Sequence, residues 1–217
     1  MPNALEKKQL DIETTLKLAP VVAVVVIDDV AAAVPLAHAL VAGGIRAIEV
    51  TLRTKVALDA IRAIAAEVEG AVVGSGTVLT PDDLKASERA GARFAVSPGC
   101  TPRLVEAAAA SALPWLPGAA TASEAMFMYE HGYRYMKFFP AVPAGGIALL
   151  RAWAAPLPGI KFCPTGGITP LSAPDFLASP NVVCVGGSWL SPANLLREGS
   201  WAKVEDLARA AAALKPE

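Results

Sequence analysis

Cysteine and histidine are both scarce, with three and two copies in 217 residues. The cysteines, Cys100, Cys163 and Cys184, form no CxxC pair and are odd in number. That argues against a disulfide framework, and reduced thiols packed in a core are expected instead. His38 and His131 have no carboxylate or thiol at ligand spacing, which argues against a metal site; each is expected on a helix surface or at a helix end. Long apolar runs are missing too. The longest aliphatic stretch, VVAVVVI from Val21 to Ile27, falls far short of the roughly 20 residues that a membrane-spanning helix needs. The leading MPNALEKKQLDIETTLKLAP carries charges throughout and has no apolar region of the secretory kind. No basic block stands out either: 19 Lys and Arg balance 20 Asp and Glu, for a net charge of −1. Nothing electrostatic favours nucleic acid or an anionic membrane, and a cytoplasmic protein without either partner is expected.

What is present is apolar and periodic. At 54% hydrophobic the chain can bury one good-sized core, although its length also admits two small domains. Short β-branched runs alternate with alanine-rich helical patterns. Candidate strands lie at 21–27, 46–51, 71–76, 93–97, 113–117, 135–139, 160–165 and 182–187. Helical stretches separate them, with Thr80, Thr101 and Thr121 placed as N-caps and Gly43-Gly44, Gly91 and Gly132 as stops. Repeated βα units of about 20 to 25 residues predict an α/β chain folded as a closed (β/α)8 TIM barrel. It is expected as a single domain over 1–217, with residues 1–19 an extra N-terminal helix closing the barrel floor and 20–217 the barrel. A doubly wound open sheet is the alternative, but such folds usually carry a Gly-rich turn after the first strand, where this chain has Asp28-Asp29.

In a barrel the working residues sit at the C-terminal strand ends and in the loops beyond them. There the chain places ionisable groups inside apolar strands. In YRYMKFFPA, strand alternation puts Tyr135, Lys137 and Phe139 on one face. A lysine pressed against helices would be costly, so Lys137 is expected to point into the barrel near its mouth. Desolvation there disfavours the ammonium and supplies a neutral amine able to attack a carbonyl. Snorkelling, or pairing with a carboxylate, is the alternative. Glu49 in RAIEVTLRT is a carboxyl in similar surroundings, suited to carrying protons at neutral pH, or to a salt bridge with Lys137 or Arg53. Arg53 offers a planar fork for a carboxylate, or is a solvated loop arginine. TGG at Thr165 to Gly167 and GGS at Gly186 to Ser188 end consecutive strands, where backbone N–H groups can converge on a phosphate. A glycine pair serving a turn is the plainer explanation of either one alone.

Taken in order and spacing, EVTLRT, GSGTV, SPG, KFFPA, CPTGGI and VGGSWL resemble the class I aldolase family that cleaves 2-keto-3-deoxy-6-phosphogluconate (KDPG). The resemblance runs from about Pro20 through Pro192. It implies a homotrimer of barrels in the Entner–Doudoroff pathway, releasing pyruvate and glyceraldehyde 3-phosphate. It also implies cleavage of 4-hydroxy-2-oxoglutarate (KHG) to pyruvate and glyoxylate. The implied partner is a small keto-acid, with no metal and no cofactor, because the iminium on the enzyme is the electron sink. By resemblance Lys137 is the Schiff-base lysine and Glu49 the general acid and base. Arg53 and Thr77 contact the pyruvate carboxylate, Pro98 lines that pocket and Phe139 packs beside the lysine. Thr165 lies near the electrophile and influences stereochemistry, while Gly166, Gly167 and Ser188 form the phosphate end.

Some relatives carry basic residues after the first strand, and Asp28-Asp29 in that place removes an attraction for a phosphorylated tail. The plainer reading of these aspartates is helix capping. Ser75 and Cys100 replace small or aliphatic residues to little effect. Two rival readings use the same glycine loops: a phosphate-binding barrel isomerase, and a non-catalytic barrel that binds phosphorylated metabolites. The isomerase leaves Lys137, Glu49 and Arg53 without a joint role, and only the aldolase predicts a stable adduct on borohydride reduction with pyruvate.

Overall fold

The computed structural model describes residues 3–215, so Met1, Pro2, Pro216 and Glu217 of the expected domain span lie outside the described residues. The chain opens with helix α1 (Ala4–Leu16) and enters β1 (Val21–Val25), followed by a 3₁₀ turn at Val30–Ala32 and α2 (Ala33–Ala42). Then come β2 (Ala47–Thr51), α3 (Ala57–Glu67), β3 (Val72–Gly76), α4 (Pro81–Arg89), β4 (Ala95–Val96) and α5 (Pro102–Ala110). The fifth strand position is split into β5 (Trp115–Leu116) and β6 (Gly118–Ala119), and α6 (Ala122–Glu130) follows. The rest is β7 (Tyr135–Phe138), α7 (Gly146–Ala154), β8 (Lys161–Pro164), α8 (Ala173–Leu177), β9 (Val185–Gly187), α9 (Ala193–Glu198) and α10 (Trp201–Ala212).

All strand pairs are parallel, and neighbours in sequence are neighbours in space: β9-β1-β2-β3-β4-β5 in one sheet, β6-β7-β8 in the other. The chain itself joins β5 to β6 through Pro117. Bridges Phe162 to Val182 and Thr165 to Gly186 join β8 to the β9 segment. The ring is a (β/α)8 barrel, and the doubly wound alternative falls because the strand order never reverses. The strands are shorter than the sequence runs suggest. Pro117 breaks the fifth because it has no N–H to give the ladder, yet its carbonyl accepts from the Lys137 N–H at 2.8 Å and holds the register. The six-residue α9 is too short to show a helical period in the sequence, and it ends at Gly199 with φ 63°.

Alternation divides the core in two. Val21, Ala23, Val25, Ile48, Val50, Val73, Met136, Phe138 and Phe162 face the helices. Val22, Ala47, Phe94, Val96, Leu116, Cys163 and Cys184 fill the lower barrel, and Ile12 and Leu16 of α1 plug the floor. The Val, Ile, Leu, Met and Phe side chains among them contribute roughly 1.5–3 kcal/mol each when fully buried. The N-terminal helix is further pinned by Lys8, whose ammonium donates to the carbonyls of Ala108, Ala109 and Ser111 at 2.8, 3.1 and 2.7 Å. Three orphan carbonyls at the end of α5 are thereby satisfied. The expected caps form: Thr80, Thr101 and Thr121 accept from the N–H groups of Asp83, Leu104 and Glu124. All three cysteines are free thiols. A hydrogen bond with Cys163, together with burial, holds the Cys184 thiol well above its ordinary pKa, as suits an inert packed thiol. His38 is exposed on α2, and His131 caps the end of α6. Among the described residues no helix is long and apolar enough to cross a membrane.

Candidate active site

Above the apolar floor the inward positions change character. Glu49 on β2 and Lys137 on β7 belong to strands that share no ladder, yet their side chains meet across the barrel, Nζ to Oε1 at 2.8 Å. Their side chains are only 4% and 5% exposed. Glu49 thus pairs with Lys137, and of the two salt bridges weighed from the sequence the one to Arg53 does not form. In so dry a place the pair is held by Coulomb attraction that water barely screens, and removing either partner leaves a costly buried group.

Glycine hollows the space around the pair. Gly74 and Gly118 stand in register with Glu49 and Lys137. A Cβ on Gly76 would strike the Glu49 carboxylate, one on Gly74 the Phe94 ring, one on Gly118 the Pro98 backbone, and one on Gly186 the Thr165 hydroxyl. None of these four glycines has a positive φ, so they are needed for room rather than for a turn. Gly76→Ala should therefore push Glu49 off its lysine. A displacement on the scale of 1 Å is expected to cost about 100-fold in turnover. Steady-state kinetics check this, and an unchanged rate would show that the carboxylate position is not critical.

Each remaining candidate has a definite place. Arg53 lies exposed beyond β2, and its Nε donates to Thr77 Oγ1 at 3.2 Å. The guanidinium's other nitrogens make no hydrogen bond to protein among the described residues, so they remain available to a carboxylate. Thr77 has φ 59° and is the one described non-glycine residue with positive φ. For a β-branched side chain that conformation is strained, and it turns the hydroxyl toward Arg53. Pro98 is half-buried over Gly118. Its loop is tied by Ser97 Oγ donating to the Gly99 carbonyl at 2.6 Å and by the Trp115 indole donating to Ser97 Oγ at 3.1 Å. Nothing in the sequence marks Trp115 as a support for this loop beyond the usual need of a buried indole for an acceptor.

The Phe139 ring centroid is 5.3 Å from Lys137 Nζ. Thr165 is buried directly after β8, with its N–H donating to the Phe138 carbonyl at 2.9 Å. Gly166 and Gly167 have φ 104° and 80°, so their conformations themselves call for glycine. Ser188 follows β9, exposed, with a hydroxyl that makes no side-chain hydrogen bond among the described residues. A cleft of about 690 Å³ opens beside it, and one of its walls is Val24, the register partner of Glu49. Among the described residues no cluster of three or more His, Cys, Asp and Glu is placed to hold a metal. An amine and a carboxyl in hydrogen-bond contact at a dry barrel mouth can together form an imine and move the protons that imine chemistry requires.

Comparison with known proteins agrees with this chemistry. A family profile described as "Aldolase: KDPG and KHG aldolase" matches residues 12–207. The chain is 50% identical to the KHG/KDPG aldolase of Escherichia coli K12 over 199 residues, 92% of this chain and 93% of that one. It is similar to the crystal structure of the 2-keto-3-deoxy-6-phosphogluconate aldolase of Zymomonas mobilis ZM4 with 3-phosphoglycerate: TM-score 0.91, 47% identity, covering 96% of this chain and 98% of that one. A KDPG aldolase from Legionella pneumophila, with pyruvate captured at low pH as a covalent carbinolamine intermediate, matches with TM-score 0.91 and 43% identity over 93% and 98% of the two chains.

Proposed function

We propose, from the premise that this chain belongs to the KDPG and KHG aldolase family, that it is a class I aldolase. In this reading it cleaves KDPG to pyruvate and glyceraldehyde 3-phosphate, and KHG to pyruvate and glyoxylate. The observation that carries the reading is the buried contact between Lys137 Nζ and Glu49 Oε1.

The cycle follows from that contact. A proton passes from Nζ to Glu49, and the freed amine attacks the C2 carbonyl. The carboxyl gives its proton to the carbonyl oxygen, and loss of water leaves an iminium on Lys137. Glu49, again a carboxylate, takes the C4 hydroxyl proton as the C3–C4 bond breaks and its electrons enter the iminium to form an enamine. The aldehyde leaves, C3 is protonated, and water hydrolyses the imine to free pyruvate and the lysine. Arg53 and Thr77 hold the substrate's carboxylate, Pro98 and Phe139 wall the pyruvate end, and Thr165 meets the electrophile. Gly166, Gly167 and Ser188 receive the phosphate. No separate cofactor enters the scheme. The captured carbinolamine of the Legionella relative supports the first step. The reading includes a single barrel domain, a cytoplasmic location and a homotrimer, the last of which light scattering tests.

The purified protein should release pyruvate from KDPG, followed by coupling to lactate dehydrogenase, with an equal amount of glyceraldehyde 3-phosphate. No release would overturn the reading. Ser188→Ala takes one hydroxyl donor from a charged group at an exposed position. A fall of about 3- to 10-fold in kcat/KM is expected on KDPG, and a smaller one on KHG, which has no phosphate. Equal losses on both would place Ser188 beside the reacting carbons.

A further inference from the structure

The cleft beside Ser188 carries charges that the scheme above does not use. One wall comes from the end of β1 and the turn after it, with Val24, Val26, Asp28 and Asp29; the other from the β9 loop and α9, with Ser188, Ser191 and Arg197. Asp29 is engaged, since its Oδ1 accepts from the Ala31 N–H at 3.0 Å and caps the 3₁₀ turn. Among the described residues, however, Asp28 and Arg197 have no ion pair or side-chain hydrogen bond, and the Ser191 hydroxyl has no partner. Two unmatched charges of opposite sign therefore look into one cavity, next to the serine that ends the substrate site. One of its lining residues, Val24, stands in register with Glu49 on the neighbouring strand.

We propose that Arg197 and Asp28 set the charge selectivity of the aldolase for the distal end of its substrate. Arg197, with Ser188 and Ser191, attracts a phosphorylated tail, and Asp28 across the cleft opposes it. This rests on the aldolase reading and concerns only the far end of that site. A phosphate monoester carries about −1.5 to −2 charges near neutral pH, so a tail bearing one feels both side chains more strongly than a carboxylate does. Both groups are exposed and the cleft is open to water, so the effects are those of screened charges rather than of a buried pair. Position, not tight contact, decides their sign.

The test measures kcat/KM for KDPG and for KHG and compares their ratio across variants. Arg197→Gln should lower the KDPG-to-KHG ratio about 5- to 10-fold, mainly through KM for KDPG, and Arg197→Lys should restore most of it. Asp28→Asn should raise the ratio about threefold, and added salt should shrink both effects. A ratio that moves less than twofold in both Gln and Asn variants overturns the proposal, as does a fall in Asp28→Asn. Pyruvate trapping by borohydride is run alongside. An adduct retained with a flat ratio removes this proposal alone, whereas no adduct in the unmutated protein removes the aldolase reading on which it rests.

Discussion

Replacing Lys137 by arginine or by alanine should end pyruvate release from KDPG and KHG alike, a loss on the order of 10⁴-fold or more, as expected when the group forming the covalent intermediate is gone. The two variants separate chemistry from stability. Arginine keeps a cation within reach of Glu49 but forms no imine at neutral pH, so the ion pair survives while the reaction does not. Alanine leaves the Glu49 carboxylate buried without its 2.8 Å partner, which should cost about 3–5 kcal/mol of stability. Kinetics paired with thermal unfolding check this. Activity lost in both variants, with a marked drop in melting temperature only for alanine, is the expected pattern. Residual turnover in Lys137→Arg near the unmutated rate would show that the lysine is only a structural cation.

Glu49→Gln should slow turnover by about 100-fold or more while leaving covalent capture of pyruvate possible. Glutamine can still accept from Nζ but cannot shuttle a proton. The steps before and after C–C cleavage that need one should slow together. Exchange of the pyruvate methyl protons with deuterated solvent isolates that part of the cycle and should fall with turnover. Exchange and turnover both unchanged would leave Glu49 as nothing more than the partner of a buried amine.

What the sequence made legible was whatever violated its own pattern. An ionisable residue at an inward position of an apolar strand, as at Lys137 and Glu49, can be seen from period-2 alternation alone, and the structure brings the two together. The threonine caps were equally visible because they are local. Residues whose reasons are tertiary stayed hidden. Lys8 reads as an ordinary solvated helix residue, yet it is buried and closes the end of α5, about a hundred positions away in sequence. Thr77 looks like the end of a strand, and nothing in a threonine announces φ 59°. The GSG of β3 reads as the end of a strand, but nothing in it announces that Gly74 and Gly76 make room for Phe94 and Glu49. Arg197 sits on a helix too short to show a period, and its relation to Asp28 exists only because β1 and β9 are neighbours in the ring.

The central claim is that Lys137 carries the covalent chemistry, and borohydride reduction in the presence of pyruvate, followed by peptide mapping, tests it most directly. The account predicts one stable adduct per chain, with the mass of pyruvate less one water plus two hydrogens, on the peptide that contains Lys137. An adduct on Lys55, Lys161 or any other lysine, or no adduct at all, would contradict it.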